Sequence, residues 1–266
     1  MKRLVVIGGG ESGVGAAMLG RQKGYDVFVT DFSVIKSRYK VELIEEEIPF
    51  EENGHTDALI LNADLIIKSP GISDSVPIMQ KVIKAGIIIK SEIDFAYEFV
   101  KGTVIAITGS NGKTTTASLV HHILNKAEKS NALVGNVGYS FARSVSEGSK
   151  DYYVVEISSF QLDDSRSFHP NVAVLLNITP DHLDRYPNID AYIQSKFSLT
   201  NNLDTSDHFA YVIDDENIKS NFALNKSNAN LYPISIKENV KVGAFASEKQ
   251  LTIALKKKSI LCRFMN

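Results

Sequence analysis

The sequence predicts an α/β protein built as two parallel-sheet domains. Two of the observations behind this are local. A short apolar run ends in a glycine-rich turn and opens into a helical pattern at Leu4–Gly13, and the same happens at Val104–Lys113. Further short apolar runs then alternate with helix-spaced segments, the pattern of parallel strands with covering helices. The third observation is length: 266 residues suit about two domains of ~100–200 residues each. The first domain reads as Rossmann-like and the second as an α/β domain of the P-loop NTPase type, with boundaries at residues 1–92 and 93–266.

The elements follow in order. Leu4–Ile7 is a strand, and Gly8–Gly13 the turn after it. Ala16–Lys23 is a helix closed by Gly24, and Val27–Thr30 a second strand ending at Asp31. Strand, turn, helix and strand make the opening of a Rossmann-like unit. Leu65–Ile67 and Ile87–Ile89 are short buried strands. Between them lie the loop Ser69–Ser73 and a helix over Val76–Ala85 that stops at Gly86. Ser91–Val100 is read as a helix joining the domains. After the second glycine turn, Ala117, Leu119, Val120, Ile123, Leu124 and Ala127 recur at helical spacing and predict one buried face. Tyr153–Ile157, Val172–Leu176 and Phe209–Ile213 are strands. Leu251–Leu255 and Ser259–Phe264 form a hairpin around the solvated lysine triplet Lys256–Lys258.

Bulk numbers exclude several classes. The 44% apolar content supports real cores. Lys+Arg 29 against Asp+Glu 31 gives a net charge of −2, which carries no nucleic-acid footprint. The single cysteine, Cys262, permits no internal disulfide and fits a reducing compartment. The apolar run after Met1-Lys-Arg is too short for a signal-peptide core. No stretch approaches the ~20 apolar residues of a membrane span. The expectation is a cytoplasmic monomer.

The chemistry concentrates in four strings. In Gly109-Ser110-Asn111-Gly112-Lys113-Thr114-Thr115, glycines let several N–H groups converge on one polyphosphate, and the following helix start adds partial positive charge. Lys113 can reach the outer phosphates and the Thr114 hydroxyl can ligate Mg²⁺. The usual consensus has a further glycine where Ile107 stands, so this loop is a shortened variant. The bland reading is a chance glycine turn beside a surface lysine. Gly8-x-Gly10-x-x-Gly13, followed by Asp31, fits NAD, a UDP-sugar or purely structural glycines; its physics is only that a backbone can approach a diphosphate at a helix start. Glu156 ends an apolar strand, where a carboxylate can hold Mg²⁺ or simply face water. His182, in Asn177-Ile-Thr-Pro-Asp-His182-Leu-Asp-Arg-Tyr186, sits in a polar loop at a strand end and could be a ligand or proton carrier, but its residues alone favour a bland loop histidine. Lys196 reads as a helical lysine, and Asn136 as a turn residue or a substrate-facing amide.

Together the strings Thr108–Thr115, Gly135-Asn-Val-Gly138, Glu156-Ile-Ser-Ser-Phe-Gln-Leu162 and Asn177–Tyr186 resemble, in order and rough spacing, the Mur ligase family of ATP-dependent amide ligases in peptidoglycan synthesis. With the Ser69-Pro-Gly-Ile72 loop, the last two are most similar to the members that add D-glutamate to UDP-N-acetylmuramoyl-L-alanine. The resemblance implies ATP held by Gly109–Thr115, one Mg²⁺ on Thr114 and Glu156, and a second near His182. It implies that Lys196 is carried as a carbamate formed with CO₂, and that Asn136 lies near the muramoyl group. Lys113, His182, Lys196 and Asn136 are then the catalytic set. Gly10, Glu11, Ser12, Gly13, Asp31 and Phe32 would hold the UDP end, with Ser69 and Gly71 along the diphosphate. The family carries a third domain with much of the amino-acid site, and the resemblance stops short of it. This chain alone is therefore expected to ligate D-glutamate poorly. The competing readings are a P-loop kinase or transport ATPase, and a non-enzymatic NAD-binding module.

Overall fold

The computed structural model describes residues 1–182, 184–225, 227–247, 250–255 and 258–263. The chain groups into two compact units, and both are discontinuous in sequence. One takes residues 1–102, 130–151 and 163–168; the other takes 103–129, 152–162 and 169–266.

In the first unit the chain runs β1 (Arg3–Ile7), α1 (Glu11–Gln22), β2 (Asp26–Thr30), α2 (Ser37–Glu45), β3 (Phe50–Glu51), α3 (Asp57–Ile60), β4 (Leu65–Lys68), α4 (Pro77–Lys84), β5 (Ile88–Ser91) and α5 (Glu92–Tyr97). The five strands form one parallel sheet in the order β3-β2-β1-β4-β5. Val5, Ile7, Phe28 and Ile66 on the strands pack against Ile60, Ile78, Met79 and Val82 on the helices. The predicted strands and the α4 helix are present, with Gly24 (φ +79°) and Gly86 (φ +68°) in left-handed geometry just past their helices. Helix α1 begins five residues earlier than its periodicity predicts, immediately after Gly10. Its first turns are glycine- and serine-rich, so helix-spaced apolar residues appear only further along.

The other unit begins with β6 (Thr103–Thr108) and α6 (Lys113–Lys126). The chain then gives β7 (Asn131–Gly135) and α7 (Phe141–Ser146) to the first unit before β8 (Tyr152–Glu156), α8 (Ser159–Asp163) and β9 (Val172–Leu175). The run α9 (Ile189–Phe197), β10 (His208–Val212), α10 (Glu216–Asn221), β11 (Asn230–Ser235), β12 (Gly243–Ala246), β13 (Gln250–Leu255) and β14 (Lys258–Arg263) follows. The strands of this unit stand in the sheet order β14-β13-β12-β11-β10-β9-β6-β8. Pairing is parallel from β12 to β8 and antiparallel between β12, β13 and β14. The predicted terminal hairpin is thus β13–β14. Lys256, Lys257 and Phe264 of that prediction lie outside the described residues.

One expectation is corrected. Of the helix face predicted to be buried, only Ala117 is; Leu119 and Ile123 are each 56% exposed. Helical spacing of apolar residues marks a stripe, but it does not supply the surface that covers it.

Candidate functional site

In the second unit the C-terminal ends of β6, β8 and β9 share one edge, because Ile107 is paired with Glu156 and Thr108 with Leu175 in parallel register. β6 is where the strand order reverses, the place at which open parallel sheets leave a crevice for ligands. The loop Gly109–Gly112 leaves β6 there. Gly112 is the N-cap of α6 at φ +81°, a left-handed conformation that a side chain makes costly.

The loop is held by the segment after β9. Ser110 N donates to Asn177 O at 2.9 Å, and Asn111 N donates to Asn177 Oδ1 at 2.8 Å. Asn177 Nδ2 returns a bond to Asn111 O at 2.9 Å. Ser110 Oγ donates to Thr179 O and accepts from Thr179 N, both at 3.0 Å. Two motifs 66 to 69 residues apart therefore form one hydrogen-bonded loop pair. Sequence reasoning missed Asn177 and Thr179 as loop supports. The available signal was their place just past the end of a predicted apolar strand, Val172–Leu176.

Lys113 Nζ lies back over the loop and donates to Gly109 O and Ser110 O, each at 2.9 Å. Lys196 Nζ, from α9 and 2% exposed, also donates to Gly109 O, at 3.0 Å. Thr114 Oγ1 donates to Glu156 Oε2 at 2.8 Å, and Glu156 is 1% exposed. Thr115 follows on the exposed first turn of α6. A buried carboxylate against a hydroxyl is a hard oxygen donor set, which fits Mg²⁺.

His182 has φ +53° and is about half exposed. Its ring lies 4.9 Å from Phe160 and 6.4 Å from Tyr192. Tyr192 in turn faces Lys196 Nζ at 4.6 Å from its ring centroid and meets Ser110 Oγ at 3.1 Å through its hydroxyl. Burial pushes the Tyr192 phenol up, against the pull of Ser110, so it stays a neutral hydroxyl. Lys113, Thr114, Glu156 and Lys196 thus gather at one sheet edge, and His182 joins them across Tyr192. As an ammonium Lys196 cannot ligate a metal; a carbamate at the same atom could.

The first unit holds a cavity of about 840 Å³ at the corresponding sheet edge. It opens beyond β1 and β4, where that sheet's strand order reverses. Gly10, Glu11, Ser12, Asp31 and Phe32 line it, and Ser69 and Gly71 line it from the loop after β4. Gly13 lies beneath: a Cβ there would fall 1.8 Å from Gly8 O, so the helix can pack against the turn only without a side chain. Asp31 braces the loop, accepting from Gly9 N at 2.7 Å and Ser33 N at 2.8 Å. Phe32 is 75% exposed at the cavity. Asn136 is an exposed residue of this unit, in the turn between β7 and α7. Among the described residues no helix is long and apolar enough to cross a membrane.

The chain matches two family models, the Mur ligase middle domain over residues 107–264 and the Mur ligase MurD-like N-terminal domain over residues 2–91. A UDP-N-acetylmuramoylalanine–D-glutamate ligase of Bacteroides thetaiotaomicron is 49% identical over 241 residues, 90% of this chain and 54% of that protein. The Christiangramia forsetii protein of the same name is 43% identical over 255 residues, 96% of this chain and 57% of its own. The chain thus spans about half the length of these curated relatives. Among solved structures, a UDP-N-acetylmuramate:L-alanyl-gamma-D-glutamyl-meso-diaminopimelate ligase from Neisseria meningitides superposes with a TM-score of 0.69 at 18% identity. It covers all of this chain and 89% of that one, a likeness of fold.

Proposed function

The chain belongs to the Mur ligase family, and we propose that it carries the UDP-sugar-binding and ATP-binding parts of a ligase joining D-glutamate to UDP-N-acetylmuramoyl-L-alanine. The observation that carries this reading is the coincidence of 49% identity to a D-glutamate ligase with the cluster of Lys113, Thr114, Glu156 and Lys196 at one sheet edge. In this proposal residues 1–92 hold the nucleotide sugar and residues 93–266 hold ATP. The reaction belongs to peptidoglycan precursor synthesis, in the cytoplasm.

The chemistry follows from the weakness of a carboxylate as acyl donor. An oxygen of the terminal L-alanine carboxylate attacks the γ-phosphorus of ATP and ADP leaves, giving an acyl phosphate. The neutral amine of D-glutamate then attacks the acyl carbon, and the tetrahedral adduct expels phosphate. Gly109–Thr115 would wrap the ATP phosphates. Lys113, now over the loop carbonyls, would swing to the outer phosphates as they bind, and its charge would offset the negative charge spread over the migrating group. Thr114 and Glu156 would hold a Mg²⁺ ion, which when bound neutralises phosphate charge. Lys196 as a carbamate, together with His182, would hold a second. Asn136 would contact the muramoyl part of the substrate, and the 840 Å³ cavity would take the UDP end.

Calorimetric titration tests this. Mg·ATP and UDP-N-acetylmuramoyl-L-alanine should each bind the 266-residue chain. Lys113→Ala should weaken Mg·ATP by about tenfold or more while leaving the nucleotide sugar within about twofold. An NADH-induced rise in melting temperature with none from the nucleotide sugar would overturn the reading in favour of a dinucleotide module. The amino acid is checked by fusing these residues to the remaining part of the Bacteroides thetaiotaomicron relative and comparing phosphate release with D-glutamate, L-alanine and diaminopimelate.

A further inference from the structure

The turn proposed to hold a diphosphate carries an acid. Glu11 is the first residue of α1, lines the cavity, and follows an N-cap, Gly10, that offers no side-chain cap. A helix start with uncapped amides attracts an anion, and a free carboxylate on its first residue competes for those amides and repels the incoming phosphates.

The carboxylate is not free. Arg143, on α7, donates from Nε to Glu11 Oε1 at 2.8 Å and from Nη2 to Oε2 at 3.4 Å. Ser140 N adds a bond to the same Oε1 at 3.2 Å. The guanidinium is itself fixed. Its side chain is 9% exposed, and its Nη1 pairs with Glu42 at 2.7 Å. Two features of the backbone deliver it there. Ser140 caps α7 by accepting from Arg143 N at 3.0 Å. Gly15 leaves the facing side of α1 bare, where a Cβ would fall 1.9 Å from Ser140 Oγ and 3.0 Å from Arg143 Cβ. Gly15 lies outside the Gly8–Gly13 pattern, so the dinucleotide-type motif does not account for it.

We propose that Arg143 is a positioning residue for the nucleotide-sugar cavity: it neutralises Glu11 and draws its carboxylate away from the start of α1, leaving those amides to the ligand's diphosphate. The inference rests on the reading of that cavity as a UDP-sugar site. Arg143 does not line the cavity and acts through Glu11. It also stands five residues beyond Gly138, so the turn bearing Asn136 and the glycine turn are tied to one ion pair within the same unit.

A double-mutant cycle on the 266-residue chain tests it, with UDP and UDP-N-acetylmuramoyl-L-alanine as titrants and thermal melts in parallel. Arg143→Met should weaken both titrants by about tenfold or more, because it leaves a carboxylate facing phosphates. Whatever Glu11→Gln costs by itself, adding Arg143→Met to it should cost less than about threefold more, since the arginine is then no longer required. Arg143→Lys, which keeps charge but not the fork, should fall between parent and Arg143→Met. If Arg143→Met does not melt cooperatively, Arg143→Lys with and without Glu11→Gln gives the same comparison. Parent-like affinity in Arg143→Met overturns the proposal. So does an equal fold-loss from Arg143→Met in the parent and in Glu11→Gln, which is the signature of packing alone. A parent chain that melts cooperatively but binds neither titrant refutes the cavity reading, and this inference with it.

Discussion

Glu92 is a carboxyl placed where a charge is costly. It is 2% exposed, and burial pushes its pKa up to about 7, against the pull of Ala142 N–H, Ser140 and Phe141 N–H, with Glu11 adding to the rise. Ala142 N donates to it at 2.6 Å, at the start of α7. An acid whose pKa rises on folding favours the folded state below its ordinary value of 4.5 and loses that contribution as pH climbs through about 7. The parent should therefore lose roughly 3 kcal/mol from this group between those limits. Glu92→Gln should flatten the dependence, and urea unfolding from pH 4.5 to pH 8 would check it. A parent and variant with parallel profiles would show that Glu92 stays ionised. At this scale the sequence was partly legible. Lys113, Thr114 and Glu156 were readable as candidates because their types, at a helix start after a glycine turn and at a strand end, suit phosphate and Mg²⁺ chemistry. Glu92 and Tyr192 were not, because their surroundings come from residues 50 and 82 positions away. Lys196 was singled out by resemblance alone, since helical spacing carries no mark of what its ammonium touches.

Elements were legible where local chemistry decides them. Apolar runs located β1, β2, β4, β6 and the terminal hairpin, with glycines closing β1 and β6. The two-residue β3 and the short α3 carry too little pattern to be read, and α2 exposes most of its surface. The burial of α6 was misread because spacing reports a stripe and not its cover. The start of α1 was misplaced because Gly13 is helical for a packing reason. That reason is testable. Gly13→Ala puts a methyl group into the carbonyl of Gly8, 1.8 Å from its oxygen. The variant should lose about 2–3 kcal/mol in urea unfolding even though alanine is the better helix former. A gain in stability would mean that the turn can move aside.

The molecule as a whole does not divide by a single cut. The first unit needs residues 130–151 and 163–168 in addition to 1–102. Those later segments satisfy groups buried in the first stretch. Lys68, 6% exposed, pairs with Asp164 at 2.7 Å; burial works against its charge, but Asp164 and Asp74 hold its pKa above the usual lysine value. Asp94 accepts from Arg166 N at 2.7 Å and from Ser167 N at 3.1 Å. A fragment of residues 1–102 leaves Lys68 without Asp164, and Glu92 and Asp94 without these donors, at a cost of about 1–3 kcal/mol for each buried group. It should show strand and helix signals in circular dichroism but no cooperative melt, whereas residues 1–168 should regain one for the first unit. A sharp transition in the shorter fragment would show that the later segments are dispensable.

The chain changes unit at 102/103, 129/130, 151/152, 162/163 and 168/169. On a ribosome, where domains commonly finish in the order they emerge, this order of pieces forbids a simple succession. The first unit cannot be completed until residue 168 has left the exit tunnel, and by then the loop Gly109–Gly112 and β8 are already outside. The nascent protein must keep an unfinished first half waiting while part of the second is made, so its early vulnerability to proteases and to sticking is set by the order of translation.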